Sequence, residues 1–122
     1  MTDLRPTYLT GAVMIVCVVE RGRADAVIKA ALEAGCIGAA VSSAHGVGPR
    51  ERLGILGIVI EAEKDVVTTI APTEQEEFVV QHLYATVGLD RPGGGMIYAI
   101  PLERFATYIP EDMRRRLEGK PG

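Results

Sequence analysis

Along AVMIVCVVE (Ala12 to Glu20) apolar residues stand at almost every position rather than at alternate ones, and most are β-branched. A run of this kind predicts a strand buried on both faces, and therefore a central one. The period then changes. In RADAVIKAALEAG, Ala24, Val27, Ile28, Ala31 and Leu32 share a helical stripe, and Gly35 stands where a left-handed C-terminal cap belongs. CIGAAVSSAHGVG (36–48) reads as a second strand of small residues that runs out at Gly46 and Gly48. PRERLGILGIVIEAE (49–63) has a charged start, interior glycines and an apolar hairpin-like segment, which predicts a long protruding loop with some order of its own. KDVVTTIA (64–71) is a third strand stopped by Pro72. Thr73 and Glu76 then predict a capping box for a second helix that reaches about Val87. Glu74, Glu76 and Glu77 suit the positive end of that helix. A glycine loop leads into MIYAI (96–100) as the fourth strand, and a charged tail covers about 110–122.

The order of elements predicts an α+β, ferredoxin-like βαββαβ sandwich: one domain over 1–122, with two helices on one face of a four-stranded antiparallel sheet. Two helices cover one sheet face only. The first strand is apolar on both, so the second face needs another cover, and self-association is the simplest one.

A chain of 122 residues buries roughly two-thirds of its unfolded surface and folds without staples. Its 13 basic and 16 acidic side chains leave a net charge of −3, which argues against nucleic acid and against an anionic membrane surface as partners. The N-terminus lacks the basic start and cleavage site of a signal peptide, and its apolar run ends at Glu20, far short of a membrane span. A cytoplasmic protein without membrane insertion is expected. Cys17 and Cys36, isolated in apolar settings, are expected to be buried free thiols.

The candidate chemistry centres on LDRPGGGMIYAIP (89–101). In a dinucleotide-binding turn or a P-loop, glycines follow a strand and open a helix; here they follow a helix and open a strand, so a helix-dipole phosphate site is excluded. Two readings stay open: a plain turn, or a nest of backbone N–H groups able to hold an anion beside Arg91. His82 lies on the apolar stripe Phe78, Val79, His82, Leu83 and is expected to be a hydrogen-bonded interior or interface residue, while His45 stands at the mouth of the long loop. No HxxxH or HxxE spacing supports a metal, Ser42 and Ser43 lack a GxSxG elbow, and neither cysteine has a visible base partner. Arg114 to Arg116, interleaved with acids, read as a solvated face.

Taken together, VERGRADAVIKAALEAGCIGAAV, HGVG, GIVIEAEKDVV and DRPGGGMIYAIPLER, in this order and spacing, resemble the PII-like signalling proteins, relatives of the nitrogen-regulatory PII proteins, over about Ala12 to Ala106. The resemblance implies a homotrimer of ferredoxin-like subunits whose packed sheets supply the missing cover. It implies adenine-nucleotide binding (ATP, ADP or AMP) in the clefts between subunits. Arg91, Pro92, Gly93, Gly94, Gly95 and Met96 are similar to the phosphate-wrapping B-loop, and Gly46 and Gly48 to the base of the T-loop, here 48–63. Thr69 and Ile70 fall where the family contacts the adenine, and Arg104 remains in the region after the fourth strand from which the family reaches the phosphates.

Departures from the nitrogen-regulatory pattern change what is expected. Met96 replaces a lysine, Arg50 a glutamine that helps bind magnesium and 2-oxoglutarate, and Thr107 and Ile109 two arginines; no tyrosine occurs between Gly48 and Lys64. Fewer cations favour nucleotides of lower charge. The expected protein is a non-enzymatic regulator without an obligatory metal. It acts on a target protein, a transporter or an enzyme, through the T-loop, in nitrogen metabolism or in a carbon-related branch that answers to bicarbonate, with His45, Arg50 and Arg52 as anion contacts. The alternative is a trimeric metal-binding protein resembling the divalent-cation tolerance proteins, with Cys17, Cys36, His45 and His82 as ligands.

Overall fold

The computed structural model describes residues 5–44 and 63–112. Its elements are β1 (Ala12–Glu20), α1 (Ala24–Glu33), β2 (Ile37–Ala44), β3 (Lys64–Pro72), a 3-10 turn (Thr73–Gln75), α2 (Glu76–Val87) and β4 (Met96–Leu102). The strands form one antiparallel sheet in the order β2-β3-β1-β4, the expected ferredoxin-like arrangement. His45, Gly46, Gly48, Arg50 and Arg52, the long loop before Glu63, and the tail from 113 onward lie outside the described residues.

β1 is central, and its burial shows why its sequence does not alternate. Val13, Ile15, Cys17 and Val19 belong to the core shared with the helices, against Val27, Ala30 and Ala31 of α1 and Val79, Leu83 and Val87 of α2. Ala12, Val16 and Val18, on the opposite face, are buried as well. Strand pairing continues that second face as apolar rows across the sheet. Ile100, Met14, Ile70 and Ile37 make one row, and Tyr98, Val16, Thr68 and Ala40 the next. Towards the sheet edges these rows emerge, with Ile37 63%, Tyr98 40% and Ile100 42% exposed.

α1 closes in a Schellman motif. The Cys36 N–H donates to the Ala31 carbonyl (3.0 Å) and the Gly35 N–H to that of Leu32 (3.1 Å), while Gly35 takes φ +90°. β2 starts with a one-residue irregularity between Ile37 and Ala39, where Gly38 has φ +65° and the Thr69 hydroxyl donates to its carbonyl at 2.6 Å. β4 runs past the expected Ile100 through Pro101, which an edge strand tolerates. Leu9 and Phe105 exchange backbone hydrogen bonds of 2.7 and 2.9 Å in the register of the β1–β4 ladder.

The expected capping box does not form. Thr73 opens the 3-10 turn rather than capping α2. Its N–H donates to the Gly11 carbonyl (2.9 Å), and the Glu76 N–H is taken by the Thr73 backbone carbonyl, so neither donor is left for a reciprocal side-chain bond.

Both cysteines are free and buried, as expected. Burial pushes the Cys17 thiol up to about 11 from an ordinary 9.0. It raises Cys36 too, against the opposing effect of a hydrogen bond with Thr69.

Two outcomes follow for stability. Ile15→Ala, at a site with no exposure, should cost about 2–5 kcal/mol in denaturant unfolding, while Leu32→Ala, 53% exposed, should stay within about 0.5 kcal/mol. The Cys17 value is higher folded than unfolded, so its neutral thiol contributes stability that is intact below pH 9 and lost as pH rises through about 11. That loss amounts to roughly 2–3 kcal/mol. Unfolding midpoints measured from pH 8 to 11 should fall accordingly, and Cys17→Ala should flatten the slope; an unchanged slope would contradict a desolvated thiol.

Candidate functional site: the glycine turn between α2 and β4

α2 ends where Gly88 turns left-handed, at φ +77°, and the N–H groups of Gly88 and Leu89 both donate to the Tyr84 carbonyl (3.2 and 3.1 Å). Leu89 is buried, which anchors the chain before it reaches Arg91. Residues 91–94 then form a tight turn closed by the Gly94 N–H on the Arg91 carbonyl at 3.0 Å. Pro92 in its second position and Gly93 at φ +76° in its third are the residues a type II turn asks for.

The other two glycines answer to distant backbone. A Cβ on Gly94 would stand 2.6 Å from the Gly88 carbonyl oxygen, and one on Gly95, at φ +118°, would stand 2.0 Å from that of Val18. The plain-turn reading therefore accounts for all three glycines. It leaves a capacity unused: the turn consumes the Gly94 N–H but not those of Gly93 and Gly95. Arg91 is exposed and forms no ion pair among the described residues.

Electrostatics at this corner are set by the C-terminal end of α2, which carries partial negative charge. Two guanidinium groups oppose it. Arg23 Nη2 donates to the Val87 carbonyl at 2.9 Å, and Arg91 Nε lies 3.4 Å from where a Cβ of Gly88 would be. The corner can thus face an anion without presenting it with a bare helix C-terminus.

The remaining expected site residues are distributed as follows. Met96 opens β4 opposite Val18 and is half-buried. Thr69 is buried, and its hydroxyl is committed to Gly38. Ile70, its neighbour, is half-buried in the row that contains Met14, on the other face. The Arg104 guanidinium lies 4.1 Å from the centre of the Tyr8 ring. Arg104 follows the far end of β4, eight positions from Met96, so roughly 25 Å of extended chain separates it from the turn. One subunit therefore does not bring Arg104 and Arg91 together.

His82 departs from expectation. It stacks on Phe78 (centroids 6.0 Å apart, planes 13°), but its Nε2 is buried with no hydrogen bond, and the Glu33 carboxylate, at 3.9 Å, is beyond bonding reach. No three of His, Cys, Asp and Glu among the described residues are grouped to hold a metal ion.

Sequence reading missed the β1–α1 turn, Arg21-Gly22-Arg23. Arg21 Nη1 pairs with Glu63 Oε2 at 2.5 Å, and the Gly22 N–H donates to Asp65 Oδ2 at 2.8 Å. The signal was two cations flanking a glycine at a strand–helix junction, which also reads as an ordinary helix start.

No protein-family model and no curated protein matches the sequence. Solved structures do, 157 chains in all. One is Arabidopsis thaliana PII bound to citrate, which aligns over 77% of this chain and 79% of its own, with a TM-score of 0.58 and 21% identity. The fold is that of the PII proteins. The PII-like frame has no helix, among the described residues, long and apolar enough to cross a membrane.

The two kinds of glycine in this turn should separate on mutation. Gly93→Ala meets nothing within 4 Å and should cost about 1–2 kcal/mol, for its left-handed φ alone. Gly95→Ala should cost upwards of ~3 kcal/mol or prevent folding, because the Val18 backbone cannot yield. Chemical denaturation of the pair measures the difference; equal midpoints would contradict the close approach.

Proposed function

We propose that this protein is a non-enzymatic, homotrimeric regulator that binds an adenine nucleotide between subunits and signals to a target protein through its 48–63 loop. The observation that carries this reading is the Arg91–Gly95 turn: in a PII-like fold, between α2 and β4, it combines an exposed cation with N–H groups the turn does not use. The apolar second face of the sheet supports the trimer, since Ile37, Tyr98 and Ile100 would leave water on assembly. The separation of Arg104 from Arg91 supports a site between subunits, where one chain supplies the turn and its neighbour the far end of β4.

Charge favours a modest ligand. Arg91 and Arg104 are two cations, and Met96 supplies none, so ADP or AMP fits at least as well as ATP. The Thr69 hydroxyl already donates to the Gly38 carbonyl, so in this reading it could only accept a bond from a nucleotide. The similar Arabidopsis protein is bound to citrate, itself a small polyanion, which supports anion binding in this fold. Gly46 and Gly48 would close the site, and His45, Arg50 and Arg52 would meet a co-effector anion such as bicarbonate.

Calorimetric titration of the purified protein with AMP, ADP, ATP and Zn²⁺, with and without bicarbonate or 2-oxoglutarate, tests the reading. A nucleotide should bind, and Arg91→Ala should weaken it at least tenfold, the worth of about 1.4 kcal/mol, with the fold intact by circular dichroism. Sedimentation should give a trimer. Tight zinc binding without any nucleotide would instead favour the metal-binding alternative.

A further inference from the structure

The β1–α1 turn holds three consecutive residues that reach three separate places. Arg21 pairs with Glu63, Gly22 with the Asp65 carboxylate, and Arg23 with the last carbonyl of α2, Val87. Glu63 and Asp65 flank the start of β3, while Val87 precedes Gly88, whose carbonyl is packed against Gly94. The turn itself is closed by the Arg23 N–H on the Glu20 carbonyl at 3.1 Å, with Gly22 at φ +94°, which ties its two ends together.

We propose that Arg21-Gly22-Arg23 couples the glycine turn to the entry of β3, with Arg23 as the positioning residue. The physical step is a displacement. Anything that shifts Gly94 pushes on the Gly88 carbonyl and hence on Val87. Val87 shifts the guanidinium of Arg23, and the closed turn moves the Gly22 N–H relative to Asp65 and Arg21 relative to Glu63. The coupling rests on the nucleotide-site reading for its physiological input, since a ligand at Arg91–Gly95 would be the displacing agent. The chain of contacts exists without it. A coupling of this kind also runs in reverse: whatever displaces Glu63 alters affinity at the glycine turn by the same factor.

Two perturbations keep the coupling distinct from nucleotide binding. Amide hydrogen exchange, read by NMR at Gly22 and at residues 63–66, is measured in the wild type and in Arg23→Gln, first on adding ADP and then on introducing Gly94→Ala, which presses on Gly88 without ligand. If Gly94→Ala does not fold, Asp65→Asn, which weakens the Gly22 contact, perturbs the same chain of contacts from its other end and is read, with the same thresholds, at Leu89 and Gly94. The expected result is a change of at least fivefold in exchange at Gly22 and at 63–66 in the wild-type background. With Arg23→Gln, at ADP concentrations that saturate the variant, it should shrink to less than twofold. A response to the glycine substitution without any response to ADP supports the coupling and counts against the nucleotide site. A response of the same size with and without Arg23, or none at Gly22 and 63–66 on either perturbation, overturns the coupling.

Discussion

The double burial of β1 is the constraint on which the rest depends. A strand lined on both faces by Val, Ile, Met and Cys cannot lie at an edge, so it must pair on both sides, and β3 and β4 take those places. Once β1 is central, its helix-facing residues fix where α1 and α2 lie, and its carbonyls become walls against which other segments pack. Val18 is one of those walls. Its carbonyl oxygen decides how closely residue 95 can approach, and so where the chain must turn on its way into β4.

The same arrangement shapes the electrostatics of the candidate site. Because β4 is antiparallel to β1, the chain returns to the sheet beside the end of α2, and the negative pole of the helix points at the turn. This is the reverse of the usual phosphate site, in which a helix N-terminus meets the anion. Arg23 and Arg91 offset the pole from two sides, one by a direct hydrogen bond and the other by lying over Gly88. Part of the Arg23 guanidinium is thereby engaged by the helix, whereas Arg91 only lies beside Gly88.

Much of the fold was legible because its signals are local. The continuous apolar run set both bounds of β1, and Gly35 marked the end of α1 because only a residue free of Cβ strain ends a helix that way. What escaped depends on contacts between remote segments. The capping pattern at Thr73 was real as a pattern, but the Gly11 carbonyl took the donor it needed. The irregularity at Gly38 was hidden in a run of small residues with no period to break. The reach of Arg23 to Val87 spans 64 positions, and nothing near either residue announces it. At the candidate site, the type II turn could be read from Arg91-Pro92-Gly93. The needs of Gly94 and Gly95 could not, because they come from oxygens on a helix end and on the central strand.

The close approach of Gly95 to Val18 bears on how related chains should be compared. Architecture alone demands glycine there, and the tightness at Gly94 adds a second demand, so both would persist in a descendant that had lost every ligand. Glycine retention in this turn is therefore a record of ancestry in the fold and not of activity. The informative positions are the ones that packing leaves free to drift. Arg91 is exposed and without an ion pair among the described residues, so packing sets no demand for a cation at that place.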